Sequence, residues 1–358
     1  MMNYLNTVII GTGSYIPEVI MPNTAFGDWT FYDKNNSRIE SSAEEIAEKL
    51  EAITGIKERR YIRENQTTSE IAAIASKRAI ENAGIDAETI DQIIFAHNYG
   101  DIKHSAIQGD FVPSLAARVK NELKIKNINC VAYDVIFGCP GWVQGFIQAT
   151  HYIKAETAKR CLIIGAEALS RVSDKYDRDA MIFSDGAGAV VVEGKTEHQK
   201  RGVLHHAAQS HTLNETYYIY AGPSNNPAVN QSRTKIKMQG RKVYELALTA
   251  VPPAMKDALD NSGKLIGELK MIFIHQANEK MDEAIVKRFY RLYNKPMPEH
   301  IMPMSIGWLG NSSVATVPTL YDLVSKNKIP DYQLFAGDLI MFVSIGAGMH
   351  LNAIVYKV

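Results

Sequence analysis

Residues 135 to 145 read Val-Ile-Phe-Gly-Cys-Pro-Gly-Trp-Val-Gln-Gly, and this stretch decides how the rest of the chain is interpreted. An apolar, strand-like run at residues 130–137 stops at Gly138, and a helix-like run at residues 143–153 begins soon afterwards. Pro140 falls where a first helical residue is expected, a position that tolerates the missing N–H of proline. The stretch therefore predicts a strand, a tight turn that carries Cys139, and a helix.

Cys139 is the first candidate functional residue. It lies at the positive end of the predicted helix and beside backbone N–H groups without partners, and both features favour thiolate over thiol. Such a residue suits a nucleophile that forms thioesters. The alternative is a small buried residue at a tight turn, because cysteine is often simply buried. This segment alone leaves both interpretations open.

Strand-like and helix-like segments alternate along the whole chain. The predicted strands are residues 7–11, 92–96, 130–137, 161–165, 187–193, 203–209, 271–275, 339–345 and 351–356. The predicted helices include residues 43–53, 68–83, 113–123, 142–155, 241–261, 280–292 and 313–326. This alternation predicts an α/β fold with mostly buried sheets.

A weak internal repeat predicts two similar halves. Residues 92–98 read Gln-Ile-Ile-Phe-Ala-His-Asn, and residues 271–278 read Met-Ile-Phe-Ile-His-Gln-Ala-Asn. Each is followed by a glycine that opens a helix, as Gly138-Cys139 in one half and Gly310-Asn311 in the other. We predict one half at residues 1–200 and one at residues 201–358, related by a pseudo-two-fold axis. The polar residues 214–237 are expected to form a long loop at the seam.

Composition narrows the class of protein. The chain has 358 residues, is 46% hydrophobic and carries no formal net charge, which suits a large core and argues against nucleic-acid binding. No apolar run reaches the roughly 18 residues of a membrane span, and the N-terminus does not read as a signal peptide. Three scattered cysteines (Cys130, Cys139 and Cys161) fit a reduced, cytoplasmic setting. Without a CxxC pair or HExxH motif, no metal or cofactor is expected.

Two further residues extend the candidate site. His275 follows an apolar strand, at the end where α/β proteins place functional groups, although it also suits a capped loop histidine. Asn311 lies in a glycine-flanked turn into a helix, where an N-cap asparagine is the alternative. Each is a weak signal alone, whereas Cys139, His275 and Asn311 in this order form a strong one.

At these positions the chain resembles the thiolase superfamily, and most closely the beta-ketoacyl-[acyl-carrier-protein] synthase III family. Residues 11–17 are similar to its opening strand and turn, residues 55–60 to its Gly-Ile-(Arg/Lys)-x-Arg segment, residues 183–189 to its Phe-Gly-Asp-Gly-Ala-Gly-Ala motif and residues 344–348 to its C-terminal glycine-rich turn. Residues 275–278 (His-Gln-Ala-Asn) and 310–313 (Gly-Asn-Ser-Ser) match its most specific signatures. The resemblance covers nearly the whole chain. It implies a five-layered αβαβα fold, a homodimer and a catalytic triad of Cys139, His275 and Asn311.

The resemblance also implies a reaction. Cys139 would take the acyl group of a thioester, a malonyl thioester would lose carbon dioxide, and the resulting carbanion would attack the acyl-cysteine. His275 and Asn311 would stabilise the enolate, and backbone N–H groups of Cys139 and of the turn from Gly346 to Gly348 would form an oxyanion hole. No metal is required. The expected partner is an acyl carrier protein, which would meet a basic helix surface that includes Lys280.

Some family positions differ in this chain. By the resemblance, Arg178, Asn278 and Lys280 contact the pantetheine arm or nucleotide of coenzyme A. Lys49 and Ile53 stand where the family has an adenine-clamping tryptophan and arginine, so a coenzyme A primer is in doubt. Val112, next to Phe111, replaces a gatekeeper phenylalanine and would admit longer acyl chains. These changes point to a specialised synthase, such as one of a polyketide, aryl-polyene or dialkylresorcinol pathway.

Three other functions remain open from the sequence. An acyltransferase of the same superfamily would use the cysteine and histidine without condensation. A non-catalytic subunit that binds a carrier protein would need a spoiled nucleophile, and the intact triad argues against it. An activated-thiol hydrolase would release free acid instead of a β-ketoacyl product.

Overall fold

The computed structural model describes residues 3–358, which form thirteen strands and eight α-helices. The strands are β1 (Tyr4–Tyr15), β2 (Val19–Pro22), β3 (Glu58–Tyr61), β4 (Gln92–Ala96), β5 (Val131–Val135), β6 (Arg160–Ala168), β7 (Asp185–Glu197), β8 (Gly202–Ser210), β9 (Ile219–Gly222), β10 (Lys235–Met238), β11 (Leu269–Ile274), β12 (Leu339–Gly346) and β13 (His350–Lys357). The helices are α1 (Ala43–Thr54), α2 (Thr68–Ala83), α3 (Leu115–Glu122), α4 (Gly141–Lys154), α5 (Gly240–Asn261), α6 (Glu279–Arg291), α7 (Ile306–Leu309) and α8 (Thr316–Ser325).

Two mixed sheets repeat one another in order and direction. The first has the order β1-β7-β6-β4-β5, in which β6, β4 and β5 are parallel and β7 is antiparallel to both of its neighbours. The second has the order β8-β13-β12-β11, with the same sequence of two antiparallel pairs and one parallel pair. Within residues 3–358, β5 has no counterpart strand in the second sheet. The predicted boundary at residue 200 stays a prediction, and β8 begins at Gly202.

Three hydrophobic clusters show how the helices and sheets are layered. One outer cluster packs α2 and α3 on the first sheet, through side chains such as Ile71 and Leu162. The central cluster places α4 and α8 between the two sheets, with Phe146 and Phe342 in ring contact. The third packs α5 and α6 on the far face of the second sheet. The order of layers is therefore α, β, α, β, α, as the sequence predicted.

The segment at residues 214–237 was predicted incorrectly in two respects. It does not lie at the seam between the halves, because β8 precedes it and already belongs to the second sheet. It is also not all loop, because β9 and β10 pair as an antiparallel hairpin. These strands have four residues each, too short for an alternating pattern to be recognised in the sequence.

The two central helices bring the repeated turns together in the middle of the molecule. Gly138 precedes α4 and Gly310 precedes α8, and both have φ +63°, a left-handed backbone conformation that favours glycine. The helix α4 begins at Gly141, one residue before the predicted start at residue 142, and Pro140 is its N-cap and not its first helical residue. The helix α8 begins at Thr316, after a short 3₁₀ turn, and not at the predicted residue 313.

Candidate active site

The turn that carries Cys139 is held against the end of the second sheet. A Cβ atom at Gly138 would lie 2.5 Å from the carbonyl oxygen of Ala347, so only glycine fits this close approach. Gly141 N donates a hydrogen bond to the carbonyl oxygen of Gly138 at 3.1 Å, which closes the turn in front of α4. The strand–turn–helix predicted around Cys139 is therefore present. Only glycine at residue 138 fits both the positive φ and the space beside Ala347.

The Asn311 turn meets Cys139 directly. The Asn311 backbone is tied between Ile182 and Ser184, because Asn311 N donates to Ile182 O at 2.9 Å and Ser184 N donates to Asn311 O at 2.8 Å. Asn311 Oδ1 accepts the Ser313 N–H at 2.9 Å, so the amide group of Asn311 has only its donor hydrogens left for a ligand. Ser313 Oγ donates to Cys139 Sγ at 3.3 Å. The turn of the second half thus contacts the sulfur in the turn of the first half.

The strand β12 ends against the nucleophile. A Cβ atom at Gly346 would lie 2.5 Å from Cys139 N and 2.9 Å from Cys139 Sγ, so the backbone of Gly346 borders both the thiol and its N–H. A Cβ atom at Gly348 would lie 2.2 Å from the imidazole ring of His350. Of the two glycines predicted for the oxyanion hole, the structure places Gly346 at Cys139 and Gly348 next to His350.

His275 is anchored to the same strand. It follows β11, and its backbone N–H donates to Val343 O of β12 at 2.8 Å, three residues before Gly346. The side chain is 4% exposed, and its Nδ1 has no hydrogen-bond partner among residues 3–358. Burial lowers the pKa of His275 to about 4, so the imidazole is neutral at pH 7.

The surroundings of Cys139 act on the pKa of its thiol in both directions. Burial raises the pKa of the Cys139 thiol to about 11, although the hydrogen bond from Ser313 acts in the opposite direction. The negative charge of Glu167 raises this pKa further. Burial therefore opposes the preference for thiolate that the helix end and the nearby N–H groups predict.

Two of the predicted substrate-binding residues line one cavity. Arg178 and Asn278 are part of the wall of a cavity of about 390 Å³, together with Lys49 and Ile53 from α1. Asn278 is also the N-cap of α6, and its Oδ1 accepts the Met281 N–H at 3.0 Å. Lys280 is exposed on the first turn of α6 and is not part of this wall.

The two predicted gate residues lie at the surface of the chain. Val112 is 85% exposed and Phe111 is 41% exposed. The Phe111 ring packs against His97, with ring centroids 5.9 Å apart, and it covers Gly100. Neither side chain is part of the wall of the cavity that contains Arg178. A gating role for Val112 stays a prediction.

Three residues of the site were missed from the sequence. Ser313 meets the sulfur, Asn98 Oδ1 accepts the Gly138 N–H at 2.9 Å, and buried Glu167 accepts the Asn98 backbone N–H. The internal repeat held a signal for Asn98, because residues 97–98 follow β4 as residues 275–276 follow β11. A glutamate inside the apolar run of β6 was a second signal, for Glu167.

Two general features complete the description. No helix within residues 3–358 is long and apolar enough to cross a membrane. In the same described part of the chain, no group of three or more His, Cys, Asp or Glu side chains is arranged to hold a metal ion.

Comparisons with known proteins identify relatives over the full length. The profile of 3-oxoacyl-[acyl-carrier-protein] synthase III matches residues 133–212, and the profile of its C-terminal region matches residues 259–358. The beta-ketoacyl-[acyl-carrier-protein] synthase III of Staphylococcus haemolyticus (strain JCSC1435) is 31% identical over 354 residues, which cover 99% of each protein.

Solved structures of synthases also superpose on this chain over nearly its full length. The 3-oxoacyl-[acyl-carrier-protein] synthase III from Aquifex aeolicus VF5 superposes with a TM-score of 0.80 and 27% identity, over 99% of this chain and all (100%) of that chain. The priming β-ketosynthase from the R1128 polyketide biosynthetic pathway gives a TM-score of 0.80 and 25% identity, over 99% and 96% of the two chains. The chain therefore belongs to the beta-ketoacyl-[acyl-carrier-protein] synthase III family of condensing acyltransferases and has the thiolase-like fold that its sequence predicted.

Proposed function

We propose that this protein joins an acyl group, held on Cys139, to a malonyl thioester by decarboxylating Claisen condensation, which gives a β-ketoacyl thioester. The observation that carries the proposal is the contact of the Cys139 sulfur with the Asn311–Ser313 turn at 3.3 Å, beside the end of β12. The sulfur nucleophile thus accepts a hydrogen bond from a hydroxyl group of the other half and borders the backbone of Gly346, and buried neutral His275 is tied to the same strand.

In the first half-reaction, Cys139 Sγ attacks the carbonyl carbon of an acyl thioester. A new carbon–sulfur bond forms, the donor's carbon–sulfur bond breaks, and the donor thiol leaves with the proton that the Cys139 thiol gives up. The tetrahedral oxyanion would accept hydrogen bonds from the backbone N–H groups of Cys139 and Gly346. These groups are fixed before the reaction, which is the condition for strong electrostatic stabilisation.

In the second half-reaction, the carbon–carbon bond to the malonyl carboxylate breaks and carbon dioxide leaves. Its electron pair becomes the thioester enolate, whose oxygen would accept hydrogen bonds from His275 and Asn311 Nδ2. The enolate carbon then attacks the acyl-cysteine, a carbon–carbon bond forms, and Cys139 leaves as a thiolate. Because His275 Nδ1 has no acceptor, its neutral ring is best protonated at Nε2, where the proton can meet the substrate oxygen.

We propose that an acyl carrier protein delivers the malonyl group, and that its acidic surface meets basic side chains of α6. Lys280 is exposed on the first turn, and Lys287 and Arg288 follow on the same helix. Lys287 lies 2.6 Å from Glu283, so part of its charge is already compensated. The predicted acyl donor is a thioester of coenzyme A or of a carrier protein, and the cavity beside Arg178 and Asn278 is the proposed path of its pantetheine arm.

We propose that the active form is a homodimer. The edge strand β5 of the first sheet carries Val131, which is 51% exposed, and the adjoining Ile136 and Val112 are also exposed. An exposed apolar edge of this kind suits pairing with a second copy of the chain. In that arrangement Val112 could reach the partner's site. Val131→Lys should give a monomer in sedimentation velocity, and an unchanged dimer would argue against this interface.

We propose a cytoplasmic location. All three cysteines, Cys130, Cys139 and Cys161, are free, and two of them are buried. A nucleophilic thiol of this type suits a reducing compartment.

A specialised ketosynthase of a polyketide, aryl-polyene or dialkylresorcinol pathway is the second candidate. It is favoured by Lys49 and Ile53 on the cavity wall, where the family clamp for adenine would need an aromatic ring and a guanidinium. One similar structure is described as a priming β-ketosynthase of a polyketide pathway. The two candidates share their chemistry and differ in the primer and its carrier.

Product analysis tests the proposed function. The protein is incubated with an acyl thioester and malonyl-carrier protein, and the carrier-bound products are identified by mass spectrometry. Condensation predicts a β-ketoacyl thioester and one carbon dioxide for each acyl group consumed. Acyl transfer without loss of carbon dioxide would support the plain acyltransferase, and release of free acid would support the hydrolase. Either result would refute the proposal.

A further inference from the structure

Two residues that have no part in the proposed reaction hold the turn that carries Cys139 through hydrogen bonds. Asn98 Oδ1 accepts a hydrogen bond from Gly138 N at 2.9 Å. Glu167 Oε1 in turn accepts a hydrogen bond from the backbone N–H of Asn98. A chain of hydrogen bonds therefore runs from a buried carboxyl group in β6, through the asparagine, to the residue before the nucleophile.

The turn needs such support because regular structure does not fix it. The strand β5 ends at Val135 and the helix α4 begins at Gly141, so Gly138 lies outside both. Glycine has more conformational freedom than any other residue, and Gly138 is held at φ +63°. Its N–H is bonded to the Asn98 side chain and not to backbone, so the position of the turn depends on that side chain.

Asn98 is itself fixed from two sides. The preceding His97 is fully buried, and its Nε2 lies 2.9 Å from Asp134 Oδ2, while its Nδ1 accepts the Gly100 N–H at 3.2 Å. Glu167, which is 1% exposed, holds the Asn98 backbone from the neighbouring strand β6. Asn98 therefore cannot shift without breaking hydrogen bonds that are shielded from water.

We propose that Asn98 and Glu167 are positioning residues for the nucleophile: Glu167 fixes the backbone of Asn98, and the Asn98 side chain fixes the turn that aims Cys139 Sγ at the acyl carbonyl. This inference rests on the proposed role of Cys139 as the acyl acceptor. Neither residue needs to touch the substrate, and both act through the position of the sulfur.

Glu167 has a second, separable effect through its charge. Burial raises the pKa of Glu167 to about 7, while His97 and the Asn98 N–H lower it and Asp185 raises it. The carboxylate in turn raises the pKa of the Cys139 thiol and of the Tyr99 hydroxyl. Replacing Glu167 with glutamine keeps an oxygen for the Asn98 N–H but removes the charge, whereas alanine removes both.

Single-turnover acylation separates positioning from general stability. Wild type and Asn98→Ala are mixed with acetyl- or octanoyl-coenzyme A, and acyl-enzyme formation is followed by intact mass. Losing one buried hydrogen bond of ordinary strength should slow acylation about tenfold at saturation, with little change in the half-saturating thioester concentration. The matched control is Asn82→Ala, because Asn82 Oδ1 accepts the Thr12 N–H at 2.8 Å at a different place in the fold. Acylation of Asn98→Ala within twofold of the control would overturn the proposal.

If Asn98→Ala does not fold, variants of Glu167 test the proposed positioning role instead. Glu167→Ala should acylate about tenfold more slowly than wild type, and Glu167→Gln should recover most of that loss. The alkylation of Cys139 by iodoacetamide should shift to lower pH in Glu167→Gln, because the charge that raised the thiol pKa is gone. Equal acylation losses in Glu167→Ala and Glu167→Gln would refute the positioning role of the pair, and an unshifted alkylation profile would refute the separate effect of the Glu167 charge. Acylation at a residue other than Cys139 would instead refute the proposed function.

Discussion

The substitution Gly346→Ala gives the sharpest steric test of the site. Gly346 has φ −171°, an extended conformation that any residue adopts, so alanine brings no backbone strain. Its Cβ atom, however, would lie 2.5 Å from Cys139 N, 2.7 Å from Cys139 Cβ and 2.9 Å from Cys139 Sγ. The first two atoms belong to a turn that is closed by Gly141 and held by Asn98, so they cannot move aside easily.

The size of the effect follows from these distances. Carbon atoms in contact are ordinarily about 3.5–4.0 Å apart, so the methyl group and Cys139 must separate by roughly 1 Å. A misplacement of about 1 Å in a reacting group costs on the order of 100-fold in rate, or about 2.7 kcal/mol of activation free energy. The same methyl group would also crowd the proposed oxyanion hole between Gly346 and Cys139.

The assay is single-turnover acylation followed by intact mass, with thermal unfolding measured in parallel. Gly267→Ala is the matched control, because a Cβ atom at Gly267 would have no neighbour within 4 Å. We expect Gly346→Ala to fold and to acylate about 100-fold more slowly, while Gly267→Ala acylates like wild type. If Gly346→Ala acylates at the wild-type rate, the end of β12 does not border the reacting sulfur and the reasoning fails.

Three further predictions concern the triad, the cavity and the core. His275→Ala and Asn311→Ala should still be acylated on Cys139, but their rate of malonyl decarboxylation, measured as carbon dioxide release, should fall about 100- to 1,000-fold. Decarboxylation at the wild-type rate would contradict the role of these two residues in stabilising the enolate. Lys49→Trp should lower the KM for coenzyme A donors but not for carrier-bound donors, since it adds an aromatic face beside the cavity. Equal changes in KM for both donors would contradict the proposed path of the pantetheine arm. Asp282 is fully buried, and within residues 3–358 neither of its carboxyl oxygens has a hydrogen bond of ordinary geometry. Burial and the negative charge of Glu279 raise its pKa against an opposing effect of the Asn278 backbone N–H, so the folded state binds the proton more tightly and wild-type stability should fall as pH rises above about 4. Asp282→Leu should remove that dependence and add about 1–3 kcal/mol to the free energy of unfolding in denaturant titrations at pH 7, and a loss of stability would show that the carboxyl group has a partner.

The long elements could be predicted because their sequence patterns are strong. The structure confirms all nine predicted strands and all seven predicted helices, with shifts of a few residues at their ends. The repeat around His97 and His275 also predicted two similar halves, because equivalent strands take equivalent places in the two sheets. By contrast, the four-residue strands β2, β3, β9 and β10 were missed, since so few residues carry no clear period.

The pairing of the candidate site residues was predictable in part. The repeated glycine turns indicated that Cys139 and Asn311 would meet, and the structure places them together through Ser313. The roles of Cys139, His275 and Asn311 in the reaction stay predictions. The pKa of Cys139 could not be predicted, because it depends on burial and on the charge of Glu167, which is 28 positions away in the sequence.

Residues that act through the backbone were the hardest to foresee. Asn98 binds Gly138 across 40 positions and Glu167 binds Asn98 across 69, and sequence spacing encodes neither contact. The exposure of Val112 was also not deducible, because the sequence around a single apolar residue does not show whether its side chain is buried.

Peptide-resolved mass spectrometry of the acylated protein tests the central claim most directly. The protein is loaded with an acyl thioester, digested, and examined before and after addition of malonyl-carrier protein. We predict one acyl group on the peptide that contains Cys139, absent in Cys139→Ser, and its disappearance as β-ketoacyl-carrier protein forms. An acyl group on any other residue, or an acyl-cysteine that malonyl-carrier protein does not discharge, would contradict the account.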